Sequence, residues 1–234
     1  MAIELRDSFF DEIFRYKERW YNLVHYITFE ECKNELPEEI KDRYLIFNDH
    51  ISYRAILTKP KFKFICTKVN PSDDDYMKDE SYCSVWHLGA AFLSCRDSPF
   101  FYIDSFKINQ HLMEMDKTQL PDNILQLEGY SDELIDLIGK EVQFDYVVRS
   151  IVRKASNFFS VKIPVPTKEV RVTFDIRNTS LKRISVLPFF TSKTSVQKRP
   201  NNTLNPTNIE LYLSDWVFPI SGISCILQDK EFDA

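Results

Sequence analysis

The sequence predicts an α+β fold: N-terminal amphipathic helices and a mixed α/β region over residues 1–140, followed by an antiparallel β-sandwich or barrel over residues 141–234. Three observations lead there. Apolar residues near the N-terminus recur at helical spacing, period-two alternation takes over from Tyr44, and the last part is a run of short strands punctuated by Pro and Asn.

The first element is read from Phe9, Ile13, Trp20 and Val24, with Phe10, Phe14 and Tyr21 beside them, which follow the 3.6-residue repeat of a helix. Asp7 or Ser8 suits its N-cap, and Asp11 and Glu12 favour the positive end of its dipole. So many large aromatics imply docking into a deep groove, with Phe9, Phe10, Ile13, Phe14 and Trp20 as the docking residues. The groove is expected in this chain first and in another subunit second. Thr28-Phe29-Glu30-Glu31 reads as the capping box of a second helix, and Pro37-Glu38-Glu39 as the first turn of a third.

Strands are expected at 44–47, 51–57 and 61–69, separated by turn signals at Asn48-Asp49 and Lys59-Pro60. The stretch 82–95 fits a buried helix or a strand, and 100–108 reads as a strand. Ser131 as N-cap, Leu134, Ile135 and Ile138 as an apolar stripe, and Gly139 past the end mark a short helix. Then Val142, Phe144, Tyr146, Val148, Ser150 and Val152 alternate with more polar neighbours as a long strand, and further strands are expected at 158–163, 169–178, 181–190, 209–218 and 220–227. The polar stretch 191–208, rich in Pro and Asn, reads as a functional loop or a partner-binding arm.

Charge is distributed unevenly. Residues 1–140 carry a net charge of −9 and residues 141–234 a net charge of +4. Over 149–199 only Glu169 and Asp175 oppose Arg149, Arg153, Lys154, Lys162, Lys168, Arg171, Arg177, Lys182, Arg183, Lys193, Lys198 and Arg199. The positive side chains pair with the acidic part of the same chain, meet the acidic pole of a neighbouring subunit, or touch nucleic-acid phosphates non-specifically. The overall sequence pI of about 5.5 speaks against a dedicated nucleic-acid binder.

Only four glycines are present, at 89, 129, 139 and 222, so phosphate-cradling loops and the nucleophile elbow of α/β-hydrolases are absent. No H-E-x-x-H occurs. The best metal candidate is Cys83, His87 and Cys95, for which buried thiols beside a core His are the favoured reading. Asp73, Asp74 and Asp75 with Asp79 and Glu80 lack the spacing of an EF-hand and read as a solvated turn. His111 and Glu114 would suit acid–base work only on a helix in a cleft, and Cys95 has just Arg96 to lower its pKa. Five widely spaced cysteines without C-x-x-C fit reduced thiols.

The N-terminus lacks a signal-peptide pattern and no apolar run is long enough for a membrane span, so no membrane partner is expected. The expected function is a non-enzymatic structural or adaptor subunit of a larger, ring-forming assembly, for example a virus or phage particle connector. Its home would be the cytoplasm or a particle assembled there. Its partners would be protein subunits, self or other, met through complementary acidic and basic surfaces. The basic interaction face would be Arg149, Arg153, Lys154, Lys168, Arg171, Arg177, Lys182, Arg183, Lys193, Lys198 and Arg199. The alternative is a soluble binding module that captures a nucleotide or other anionic ligand on that face. No cofactor or metal is expected.

Overall fold

The computed structural model describes residues 18–33, 36, 38–67, 82–87, 101–120, 124–190, 195–219 and 221–229, and side-chain alternation decides its architecture. β1 (Trp20–Glu31) buries Leu23, His25, Ile27 and Phe29 and turns Val24, Tyr26 and Thr28 to the opposite face. A period-two run of Trp, Tyr, Val, Ile, Thr and Phe is strand chemistry, and it overrides the helical aromatic repeat through Val24. The α+β expectation is thereby overturned: among the described residues the only α-helix is α1 (Glu38–Lys41). Trp20 belongs to a strand, and the capping box read at 28–31 is the end of the same strand. Phe9, Phe10, Ile13 and Phe14 lie outside the described residues.

The turn expected at Asn48-Asp49 is also absent. β2 (Tyr44–Ile56) runs straight through it, with Asp49 fully buried. The helix expected after Ser131 is a 3-10 turn (Asp132–Leu137) in which Ser131 makes no side-chain cap bond. Only Leu134 of its apolar residues is buried, whereas Ile135 and Ile138 are exposed. Gly139 sits just past its end at φ +83°, the left-handed conformation that a glycine adopts without a Cβ penalty.

Eight strands form the large sheet, in the order β13 (Gln197–Pro200), β14 (Asn208–Val217), β11 (Thr167–Asn178), β1, β2, β9 (Glu141–Arg153), β5 (Phe101–Ile108) and β6 (His111–Leu112). β1 and β11 pair in parallel, so the sheet is mixed rather than antiparallel as expected. Strands from before and after residue 140 are neighbours in it, and β2 pairs with β9 from Tyr44 opposite Arg153 to Ile56 opposite Glu141. A three-stranded sheet has the order β10 (Phe158–Lys162), β15 (Gly222–Gln228), β12 (Arg183–Phe189), and a four-stranded sheet the order β4 (Tyr82–His87), β3 (Lys61–Thr67), β8 (Ile124–Tyr130), β7 (Met115–Leu120).

Both smaller sheets pack on one face of the large one. Phe159 of β10 meets Phe47, Phe29 and Phe174 with ring centroids 4.8, 5.5 and 6.4 Å away. Phe62 and Phe64 of β3 meet Phe106, Phe144 and Tyr146 at 5.3–5.7 Å. Each such ring contributes about 1.5–3 kcal/mol when fully buried, and edge-to-face contacts add to that. Phe29, Phe47, Phe62, Phe64, Phe106, Phe144, Phe159 and Phe174 are therefore the filling between the sheets. In the 191–208 stretch, Asn201 and Asn202 accept backbone hydrogen bonds that shape the turn into β14: Asn201 Oδ1 from Thr207 at 3.0 Å and Asn202 Oδ1 from Leu204 at 2.9 Å.

Candidate interaction face

The second face of the large sheet carries the polar phase of every strand. Two register slips shape one corner of it. β1 slips against β2 between Tyr21 and Val24, and β11 slips against β14 between Lys168 and Val170. Asn22 (φ 54°) and Glu169 (φ 63°) hold the left-handed conformations at these bulges. Strict alternation would send Tyr21 inward with Leu23 and Lys168 inward with Val170. The extra residue in each strand keeps both on the open face.

A row of side chains results across four strands: Trp216 opposite Lys168, Lys168 opposite Tyr21, and Tyr21 opposite Arg54. The Tyr21 and Trp216 rings meet edge to face, 5.7 Å between centroids. In the next row Arg171 lies opposite Tyr212, its guanidinium 5.7 Å from the ring centroid, within cation–π reach. Arg54 pairs with Glu141 at 3.0 Å. With its amide oriented to satisfy both neighbours, Asn22 accepts from Arg54 at 3.0 Å and donates to Glu169 at 2.5 Å.

Elsewhere on this face several charges are paired. Arg199 lies 3.7 Å from Glu210, Arg149 lies 3.7 Å from Glu30 and over the Tyr102 ring, and His50 meets Asp145 at 3.1 Å. Asp175 receives the Arg177 Nε at 3.0 Å and the Tyr26 hydroxyl at 3.3 Å. Burial pushes the Asp175 carboxyl up, but the hydrogen bonds and charge of Arg177 outweigh it and hold the group below its ordinary range. Glu31 behaves likewise: burial opposes its charge, while Lys154 and the backbone and hydroxyl of Ser180 lower its pKa on balance.

The residues expected to form one basic face therefore separate. Arg149, Lys168, Arg171, Arg177 and Arg199 share the open face of the large sheet by strand phase. Lys154 turns to Glu31, and Arg153 is exposed at the end of β9. Lys182 and Arg183 belong to the three-stranded sheet side, Lys198 takes the opposite phase on β13, and Lys193 lies outside the described residues. Tyr21, Asn22, Arg54, Tyr212 and Trp216 were not expected at the site. Their signal in the sequence is the lysine at 168, which falls in the phase of Val170, Val172 and Phe174 where a buried lysine would be costly.

The chemical candidates take different places. Cys83 and His87 fall on β4, where four residues span about 13 Å rather than one helical turn, and Cys95 lies outside the described residues. His111 is on β6, with Nδ1 3.0 Å from Glu133. His25 Nδ1 and Asp49 Oδ2 form a buried pair at 2.8 Å, while Asp49 Oδ1 and Ser150 Oγ have no hydrogen-bond partner among the described residues. Ser150 sits on β9, on the far side of β2 from His25 and four residues along from Tyr146, the β9 residue level with His25, so the three do not form a nucleophilic relay. Cys66 and Cys225 are buried free thiols, and burial raises both, Cys66 to about 12, the opposite of an activated nucleophile. Among the described residues no three His, Cys, Asp or Glu side chains are grouped to hold a metal, and no helix is long and apolar enough to cross a membrane.

No protein-family model and no curated protein sequence matches the chain. Among solved structures it resembles a candidate protease from Parabacteroides distasonis (TM-score 0.47, 7% identity, 89% of this chain and 40% of that one). It also resembles an M1 zinc metallopeptidase from Deinococcus radiodurans (TM-score 0.42, 8% identity, 89% and 42%). A candidate nutrient binding protein from Legionella pneumophila gives a TM-score of 0.39 at 10% identity over 90% of this chain and 67% of that one. The chain spans less than half the length of the first two, and likeness at this level carries no function across to it.

Proposed function

We propose that the chain is a non-enzymatic adaptor or structural subunit that docks a protein partner on the open face of its eight-stranded sheet. The observation that carries this reading is the composition of that face: Tyr21, Tyr26, Tyr102, Tyr212 and Trp216 interleaved with arginines whose charges are largely paired within the face. Tyr, Trp and Arg are the residue types that carry binding energy at protein interfaces: the two aromatics bring large area at small cost in side-chain entropy, and Arg brings a planar fork of donors. Paired charges of both signs suit a partner with its own mixed surface better than a phosphate backbone, which rewards an unbroken positive track.

The test is the mass of the native species. Light scattering on the full chain in native extract is expected to show a particle heavier than the monomer. Tyr26→Ala, placed at the centre of the face where Tyr26 is 40% exposed, leaves Asp175 its Arg177 partner and is expected to reduce that mass without lowering the melting temperature by more than a few degrees. A monomer in extract and after purification alike would overturn the proposal.

A further inference from the structure

The bulged corner sets side by side two exposed cations that have no carboxylate partner among the described residues, whereas Lys107 and Arg153 of the same face stand singly on other strands. Arg54, Arg149, Arg177 and Arg199 each have a carboxylate within 4 Å, whereas Lys168 and Arg171 have none among the described residues. Both are exposed. They stand in adjacent rows of β11 because the bulge at Glu169 brings them to one face, and they are flanked by Trp216, Tyr21 and Tyr212.

We infer that this corner is the docking point for an acidic, extended segment of the protein partner; the inference rests on the reading of the open face as an interface. An extended chain points alternate side chains to one side about 6.7 Å apart, a spacing that lets two carboxylates at i and i+2 reach Lys168 and Arg171 together. The neighbouring rings supply flat apolar surface for the segment's backbone and intervening side chains, and they lower the local dielectric so that the ion pairs strengthen. Arg171 is held toward Tyr212, so its charge is partly positioned before binding, and Lys168 stands between Tyr21 and Trp216 in the strand register. A single-stranded nucleic acid is the poorer fit. Glu169 follows Lys168 on β11 and Glu141 holds Arg54 beyond Tyr21, so the positive track ends after two charges, where a phosphate backbone would demand more.

The experiment uses the full chain and three fluorescein-labelled probes: a short peptide of alternating Glu and Val, the same peptide with Gln for Glu, and a short oligo-dT. Fluorescence anisotropy at low salt is expected to show binding of the Glu peptide at least about tenfold tighter than the Gln peptide, weakening as salt rises. The exposed double variant K168E/R171E is expected to lose the difference, Trp216→Ala to weaken it several-fold, and Lys162→Glu, exposed on the three-stranded sheet, to leave it unchanged. Equal binding of the Glu and Gln peptides, full retention in K168E/R171E, or tighter binding of oligo-dT would each overturn the inference. The native mass separates its failure from that of the wider reading. Loss of the heavy species in Tyr26→Ala but not in K168E/R171E would leave the interface standing and remove the acidic segment from this corner.

Discussion

Complete burial takes the Asp49 carboxyl away from water, and the imidazole of His25 at 2.8 Å is the partner that offsets the loss. Its second oxygen finds no partner among the described residues. Removing one member of such a pair is far worse than removing both, because a lone buried polar group keeps its desolvation penalty. His25→Leu is therefore expected to lower the unfolding free energy by about 3 kcal/mol or more, and adding Asp49→Leu to restore part of the loss, as read from urea titrations of the two variants. A double variant less stable than His25→Leu alone would contradict this account. The pair was not legible in the sequence. Asn48-Asp49 carries a local turn signal, and the imidazole that overrides it lies on the preceding strand, where nothing local announces it.

At the scale of the strand, the bulges decide which residues the open face presents. Asn22 tolerates its φ of 54° because a short polar side chain bonds locally in the left-handed region, whereas a β-branched residue there is strained. Asn22→Gly is expected to stay within about 1 kcal/mol of the parent, whereas Asn22→Val is expected to cost about 2 kcal/mol and to disturb the Tyr21–Trp216 contact. Urea midpoints measure the first effect and the near-ultraviolet circular dichroism of the two rings the second. Equal midpoints for the two variants would remove the role given to the bulge. The strands from Glu141 onward were legible in outline from their period-two patterns, their ends moving by only a few residues, except β13, which falls within the 191–208 stretch read as a loop or arm. β1 was not. Its aromatics satisfy a helical repeat and a strand alternation equally over a short window, and pairing with β2 on one side and β11 on the other settles the choice.

For the whole molecule, the uneven charge visible in the sequence becomes a set of ties between its early and late strands. Glu31 at the end of β1 holds Lys154 after β9 and Ser180 before β12, Glu30 faces Arg149, and Asp175 on β11 receives Tyr26 of β1. Counting charges shows that opposite signs lie in different parts of the chain, but only the topology shows that those parts are woven into one sheet. The carboxyls of Glu31 and Asp175 are held below their ordinary range in the folded protein, so folding is favoured when they are ionised. That contribution is present above their unfolded values near pH 4 and disappears as pH falls through the lower folded values. The urea midpoint is thus expected to fall between about pH 5 and pH 2. Glu31→Gln and Asp175→Asn are expected to be less stable than the parent at pH 7 and to lose less on acidification, so that the curves converge at the acidic end. Because the early and late strands are woven into one sheet and the Glu31 tie joins them, fluorescence and far-ultraviolet circular dichroism should report one coincident acid transition. Curves that stay parallel down to the acidic limit would show that these carboxylates do not supply the ties.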